Sequence, residues 1–76
     1  MEKQPEAEIR RFLAEQIIAR RRERSWTQQQ LAAASGVPRT YIADLEDARR
    51  NPSIATLLRI ANGLRVLLAD LLRPAG

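Results

Sequence analysis

The sequence predicts an all-α fold of five helices, and three observations predict it. Apolar residues recur at three- and four-residue spacings, no stretch carries the alternation of a half-buried strand, and capping residues stand where each helical stretch would begin. Pro5 suits a first helical position, with Glu6 and Glu8 at the positive end of the helix dipole and Arg20, Arg21, Arg22 and Arg24 at the negative end. One long first helix follows, with Ile9, Phe12, Leu13 and Ile17 as its apolar positions and Ser25-Trp26 as the break after it.

Thr27 begins the second helix. Its hydroxyl can accept from the N–H of Gln30 while the Gln30 side chain accepts from the N–H of Thr27, the reciprocal arrangement of a capping box. Gly36 closes that helix, because the chain must turn there through a left-handed conformation that is costly for a side chain. Beyond it, Val37, Ile42 and Leu45 give a third helix one apolar seam and leave Arg39, Thr40, Ala43 and Asp44 largely off it. Leu31 and the small Ala32 supply the facing seam and permit a steep, close crossing. Two short helices joined by a glycine-centred turn make a helix-turn-helix over about residues 27–48, which points to DNA.

Asn51-Pro52-Ser53 ends that segment and caps a fourth helix carrying Ile54, Leu57, Leu58, Ala61 and Leu64. Gly63 is expected to loosen its end, and Leu68, Leu71 and Leu72 mark a short fifth helix that stops before Pro74. No repeat or interdomain linker divides residues 1–76, which are read as a single domain with flexible ends at 1–4 and 74–76.

Composition narrows the function. At 76 residues, 45% of them hydrophobic, the chain can build one small core with little margin, so self-association is expected to supplement it. It contains neither cysteine nor histidine, which removes disulfides, thiolate or imidazole metal sites and the commonest nucleophile–base pairs; no enzyme, metal or cofactor is expected. The apolar run 66–72 contains Asp70 and is far shorter than the ~20 residues of a membrane span, and Met1 to Ala7 carries no apolar signal core. A cytoplasmic protein without a membrane partner is expected. Twelve of the thirteen basic residues are arginine and the net charge is +4, which suits phosphate and guanine recognition.

Thr27-Gln28, Leu31-Ala32, Gly36-Val37, Arg39-Thr40-Tyr41-Ile42, Leu45-Glu46, Arg50-Asn51-Pro52-Ser53, Leu57-Leu58 and Ile60-Ala61 together resemble regulators of the Cro and phage-repressor type, the XRE family, over roughly residues 9–72. The resemblance implies a compact lambda-repressor-like DNA-binding domain of bacterial or phage origin. Arg39 to Ile42, Glu46 and the Arg-Asn-x-Ser run also look like restriction–modification controller proteins, whereas Trp26-Thr27-Gln28 after Arg21-Arg22 looks like antitoxin members. The chain departs from the family pattern at Pro38, where a Ser or Thr cap is usual, at Ala48 and Arg65, where glycine is usual, and at Leu67, where a capping residue is usual.

Arg39 opens the helix expected to enter the major groove and is the first candidate for base reading, since a guanidinium pairs with O6 and N7 of guanine. Thr40 and Ala43 follow on the same face. Asp44 occupies a base-contact position by resemblance and accepts from cytosine, excludes wrong sequences by repulsion, or pairs with a nearby arginine. Backbone contacts are expected from Gln28, by resemblance also a brace for the recognition helix, and from Tyr41, Arg49, Arg50 and Asn51; Tyr41 is equally suited to packing under the helix pair. The family pairs an arginine at the end of helix one with the glutamate of helix three, which assigns Arg21 and Glu46 as a structural ion pair. Arg20, Arg22 and Arg24 are assigned to the helix dipole and solvent.

The expected function is sequence-specific transcription regulation by a homodimer on a palindromic operator, with the recognition helix at about 38–48. Leu64, Val66 and Leu67 are the expected dimer interface. With no second domain read in the chain, no small-molecule effector is expected. The alternative is an antitoxin that binds a protein toxin and regulates its own operon.

Overall fold

Four α-helices and one 3-10 helix follow one another along residues 5–73, the part of the chain that the computed structural model describes. The expected ends at 1–4 and 74–76, with the stop at Pro74, lie outside the described residues. α1 spans Glu6–Glu23, α2 Gln28–Ser35, α3 Arg39–Glu46 and α4 Ile54–Leu64, and the 3-10 helix spans Leu68–Leu72. The all-α class expected from the sequence holds, with the fifth element wound as a 3-10 helix.

Local chemistry explains most boundaries. Pro5 is extended and precedes α1 as its N-cap, one position earlier than the sequence suggests. Thr27 Oγ1 accepts from Gln30 N–H at 3.1 Å and Gln30 Oε1 from Thr27 N–H at 2.8 Å, so the capping box of α2 is complete. Gly36 takes φ +74° at the end of α2 and donates its N–H to the Ala32 carbonyl at 2.9 Å. Ser53 Oγ accepts from Thr56 N–H at 3.1 Å and starts α4. Leu67 has no side-chain acceptor, but Asp70 reaches back to accept its N–H at 3.0 Å and supplies the other half of a cap for the 3-10 helix. That bond, after the one from Arg73, holds the Asp70 carboxyl below the usual carboxylate range.

Where glycine is usual, this chain forces side chains into the left-handed region. Ala48 and Arg65 both have φ +58°, and Ser25 has φ +56°, so α3, α4 and α1 each end on a non-glycine turn. Each costs on the order of 1 kcal/mol relative to glycine, which tertiary contacts must offset. One such contact lies beside the turn at Arg65, where Arg24 donates to the Leu64 carbonyl at the end of α4, and Arg20 donates to the Asp70 carbonyl in the 3-10 helix at 3.3 Å. Arg20, in α1, and Arg24, just past its end, therefore tie this region to the 3-10 helix and to the end of α4 rather than merely answering their own dipole.

The core is built from every helix. Ile17, Leu31, Ile42, Ile60, Leu64 and Leu71 are fully buried. α1 packs on α3 and on the 3-10 helix, and α2 lies between α3 and α4. The buried stripe of α1 is Leu13, Ala14, Gln16 and Ile17, so Ile9, expected on it, lies past its end and is 43% exposed. Leu64, expected at the surface, faces inward instead, since its place near the end of α4 points it into the space closed by the 3-10 helix.

Gly63 also plays a different part from the one expected. It lies inside α4, where an added Cβ would stand 2.9 Å from both Cα and N of Ser35 and nothing loosens the helix. A glycine is needed there because the C-terminal turn of α2 passes directly over α4. At Gly36 an added Cβ would meet nothing within 4 Å, so its requirement is purely one of backbone angle. Gly36→Ala is expected to cost about 1–2 kcal/mol. Gly63→Ala is expected to cost about 1–3 kcal/mol of overpacking, despite alanine's better helix propensity. Thermal melting followed by circular dichroism checks both, and an unchanged or raised Tm for Gly63→Ala would show that α2 and α4 can move apart freely.

Candidate nucleic-acid interface

Ile42 and Leu45 anchor α3 in the core and thereby decide which side of it faces out. Thr40, Ala43 and Asp44 lie on the side away from that seam, with Arg39 on one flank and Tyr41 on the other. Arg39 and Thr40 are exposed, whereas Ala43, Asp44 and Tyr41 are half-buried. α3 starts without a side-chain cap, since Pro38 offers no acceptor, so the amide groups of its first turn lie beside Arg39 and Thr40.

The orientation of α3 rests on one carboxylate. Glu46 Oε2 accepts from Arg21 Nε at 2.7 Å, and its Oε1 accepts from Arg21 Nη2 at 2.8 Å and from Gln28 Nε2 at 3.1 Å. Arg21 Nη1 also donates to the Trp26 carbonyl at 2.6 Å. These bonds connect α1, the loop after it, α2 and α3. The two charged side chains are 12% and 5% exposed, so each depends on the other for solvation, and the bond to Glu46 raises the pKa of Arg21 above its already high ordinary value.

Gln28 thus braces α3 through its amide nitrogen, and a second N–H remains on that nitrogen. Arg49 is exposed just past α3. Asn51 accepts from Arg10 Nη1 at 3.2 Å, and Arg10 also lies 3.6 Å from Glu6, so the loop after α3 is tied to α1. Arg50 takes a position that its place in the sequence does not suggest: its guanidinium lies 4.2 Å from the centroid of the Tyr41 ring and bonds Asp44 at 3.3 Å. Asp44 is paired with an arginine, one of the three roles open to it.

Sequence reasoning missed the tie from Arg10 to Asn51 and the reach of Arg20 and Arg24, because each joins residues at least 40 positions apart and leaves no local pattern. Between α4 and the 3-10 helix, Leu67 is 70% exposed and Val66 is partly buried against the core, whereas Leu64 is 0% exposed and has no surface to offer a second chain. Among the described residues no group of histidine, cysteine or acidic side chains is arranged to hold a metal ion, and no helix is long and apolar enough to cross a membrane.

Removing one partner of the Arg21–Glu46 pair leaves the other charge buried and alone. Glu46→Ala is expected to cost on the order of 3 kcal/mol, a Tm loss of about 10 °C or more, whereas Glu15→Ala on the exposed side of α1 should stay within about 0.5 kcal/mol. Equal melting shifts for the two variants would remove the brace from the account.

Comparison with known proteins agrees with this geometry. A family model described as helix-turn-helix matches residues 17–71. The control protein C.SmaI of Serratia marcescens is 36% identical over 69 residues, covering 91% of this chain and 82% of that protein. The crystal structure of the hypothetical transcription factor NHTF from Neisseria is similar with a TM-score of 0.84 at 31% identity, over 97% of this chain and 85% of that one. The restriction–modification controller protein C.AhdI from Aeromonas hydrophila is similar with a TM-score of 0.79 at 26% identity, over 82% of this chain and 94% of that one. The chain belongs to the helix-turn-helix family of DNA-binding transcriptional regulators and is related within it to restriction–modification controller proteins.

Proposed function

We propose that this regulator works as a homodimer on a palindromic operator, with α3 of each protomer in successive major grooves about 34 Å apart. The observation that carries the reading is the outward face of α3, where Arg39, Thr40 and Ala43 stand on a short helix whose other side is locked by Ile42, Leu45 and Glu46. A base-reading helix needs that rigidity, because hydrogen bonds to base edges discriminate only when the donors are already placed.

Arg39 is assigned to guanine, Thr40 to a base edge through its hydroxyl or methyl group, and Ala43 to a thymine methyl. Gln28, through the N–H that Glu46 does not take, and Arg49 and Asn51 beyond α3 are assigned to phosphates, which set register without carrying sequence. Dimerisation is supported by Leu67 and Val66, which leave apolar surface in water between α4 and the 3-10 helix. The similarity to C.SmaI and C.AhdI favours a controller or small repressor of its own operon.

Selection of bound duplexes at a stated salt concentration gives the operator. Arg39→Ala is expected to cost about 1–3 kcal/mol on that operator and to relax preference at one position per half-site. Identical profiles for the variant and the original chain would move base reading elsewhere. Sedimentation at micromolar concentration is expected to show a dimer in solution or doubling on the operator, and a strict monomer in both states would overturn the symmetric arrangement.

A further inference from the structure

Arg50 stands beyond the end of α3, in the loop that leads to Ser53, and a side chain there would ordinarily reach for the sugar–phosphate backbone. Its side chain runs the other way. The left-handed turn at Ala48, with φ +58°, and the bond from Arg49 N–H to the Asp44 carbonyl at 2.9 Å fold the chain back along α3. Tyr41 and Asp44 lie three residues apart on one flank of that helix, next to each other in space. The Arg50 guanidinium is held between them, over the ring of one and bonded through Nη2 to the carboxylate of the other.

Neither contact is strong in itself, because the Arg50 and Asp44 side chains are 46% and 41% exposed. Together they choose an orientation for a flexible side chain, and they do so on the helix that presents Arg39 and Thr40. Asp44 also decides what the guanidinium can receive. A phosphate drawn to Arg50 would come close to a carboxylate and be repelled, whereas O6 and N7 of guanine carry only partial charge and meet a much smaller penalty. The one bond to Asp44 uses a single N–H of five, which leaves enough donors for a bidentate contact.

We propose that Arg50 is a second base-reading residue of this chain, specific for guanine, and that Asp44 and Tyr41 are its positioning residues. The inference rests on the reading of α3 as the helix in the major groove. It explains how an acidic residue can stand on a surface that approaches DNA: Asp44 weakens attachment to arbitrary sequence and directs one arginine to a base.

The test is duplex selection at two salt concentrations with the original chain, Arg50→Ala and Asp44→Asn, each first shown by circular dichroism to melt as the original does. Arg50→Ala is expected to flatten a guanine preference at one position per half-site, distinct from the position that Arg39 reads. It should lose about tenfold or more on the selected operator and much less on random duplex. Asp44→Asn keeps the shape of the side chain but removes its charge, so affinity for random duplex is expected to rise several-fold with steeper salt dependence while the same guanine preference weakens. An Arg50→Ala variant that weakens all sequences alike, keeps the original profile and lowers the salt slope by about one phosphate contact would overturn the proposal and leave the operator reading standing. So would an Asp44→Asn variant with unchanged affinity for random duplex. If the original chain selects no sequence at all, both readings fall together.

Discussion

The bidentate bond between Arg21 and Glu46 is the constraint on which the rest of the molecule depends. α3 is eight residues long, too short to be stable or directional alone, and its apolar anchors Ile42 and Leu45 fix which side is buried without fixing its tilt. The carboxylate at its last helical position sets that tilt by meeting a guanidinium from the last turn of α1 and an amide from the first turn of α2. With both charges nearly out of water, the pair is worth little as net stability and a great deal as geometry, because any other orientation would leave a buried charge without a partner.

Around that brace the chain spends conformational strain to turn sharply between helices. Ser25, Ala48 and Arg65 all accept left-handed backbone where glycine would be cheaper, and Arg24 and Arg20 hold the end of α4 and the 3-10 helix that flank the turn at Arg65. One of these turns bears on the interface directly. The one at Ala48 sends the following loop back toward α3 and delivers Arg50 to Tyr41, while the tie from Arg10 to Asn51 keeps the rest of the loop against α1. The outward surface of this regulator is therefore assembled from α3 and the loop after it as one unit.

The charge on that surface is mixed. Arg39 and Arg49 attract a polyanion, and Asp44 and Asp47 oppose it. A mild net charge of +4 spread this way favours recognition by placed donors over bulk attraction. The exposed Leu67 lies outside α3 and the loop after it, so the self-association proposed for it and DNA contact draw on different side chains.

What the sequence by itself determined were the features whose partners lie within a turn: the capping box of Thr27 and Gln30, the glycine turn at 36, the Ser53 cap, and the seam of Ile42 and Leu45 that turns Arg39 and Thr40 outward. A hydrogen bond between positions three apart, or a backbone angle that only glycine adopts freely, is set by neighbours in the chain and can be read from them. Only the tertiary structure decided that Gly63 makes room for Ser35, that Leu64 closes the core instead of facing a second chain, that Arg20 and Arg24 reach distant carbonyls, and that Arg50 lies on Tyr41 beside Asp44. Those outcomes depend on which helices pass within van der Waals contact and on where long, flexible arginine side chains find an acceptor, and neither leaves a periodic mark on the sequence.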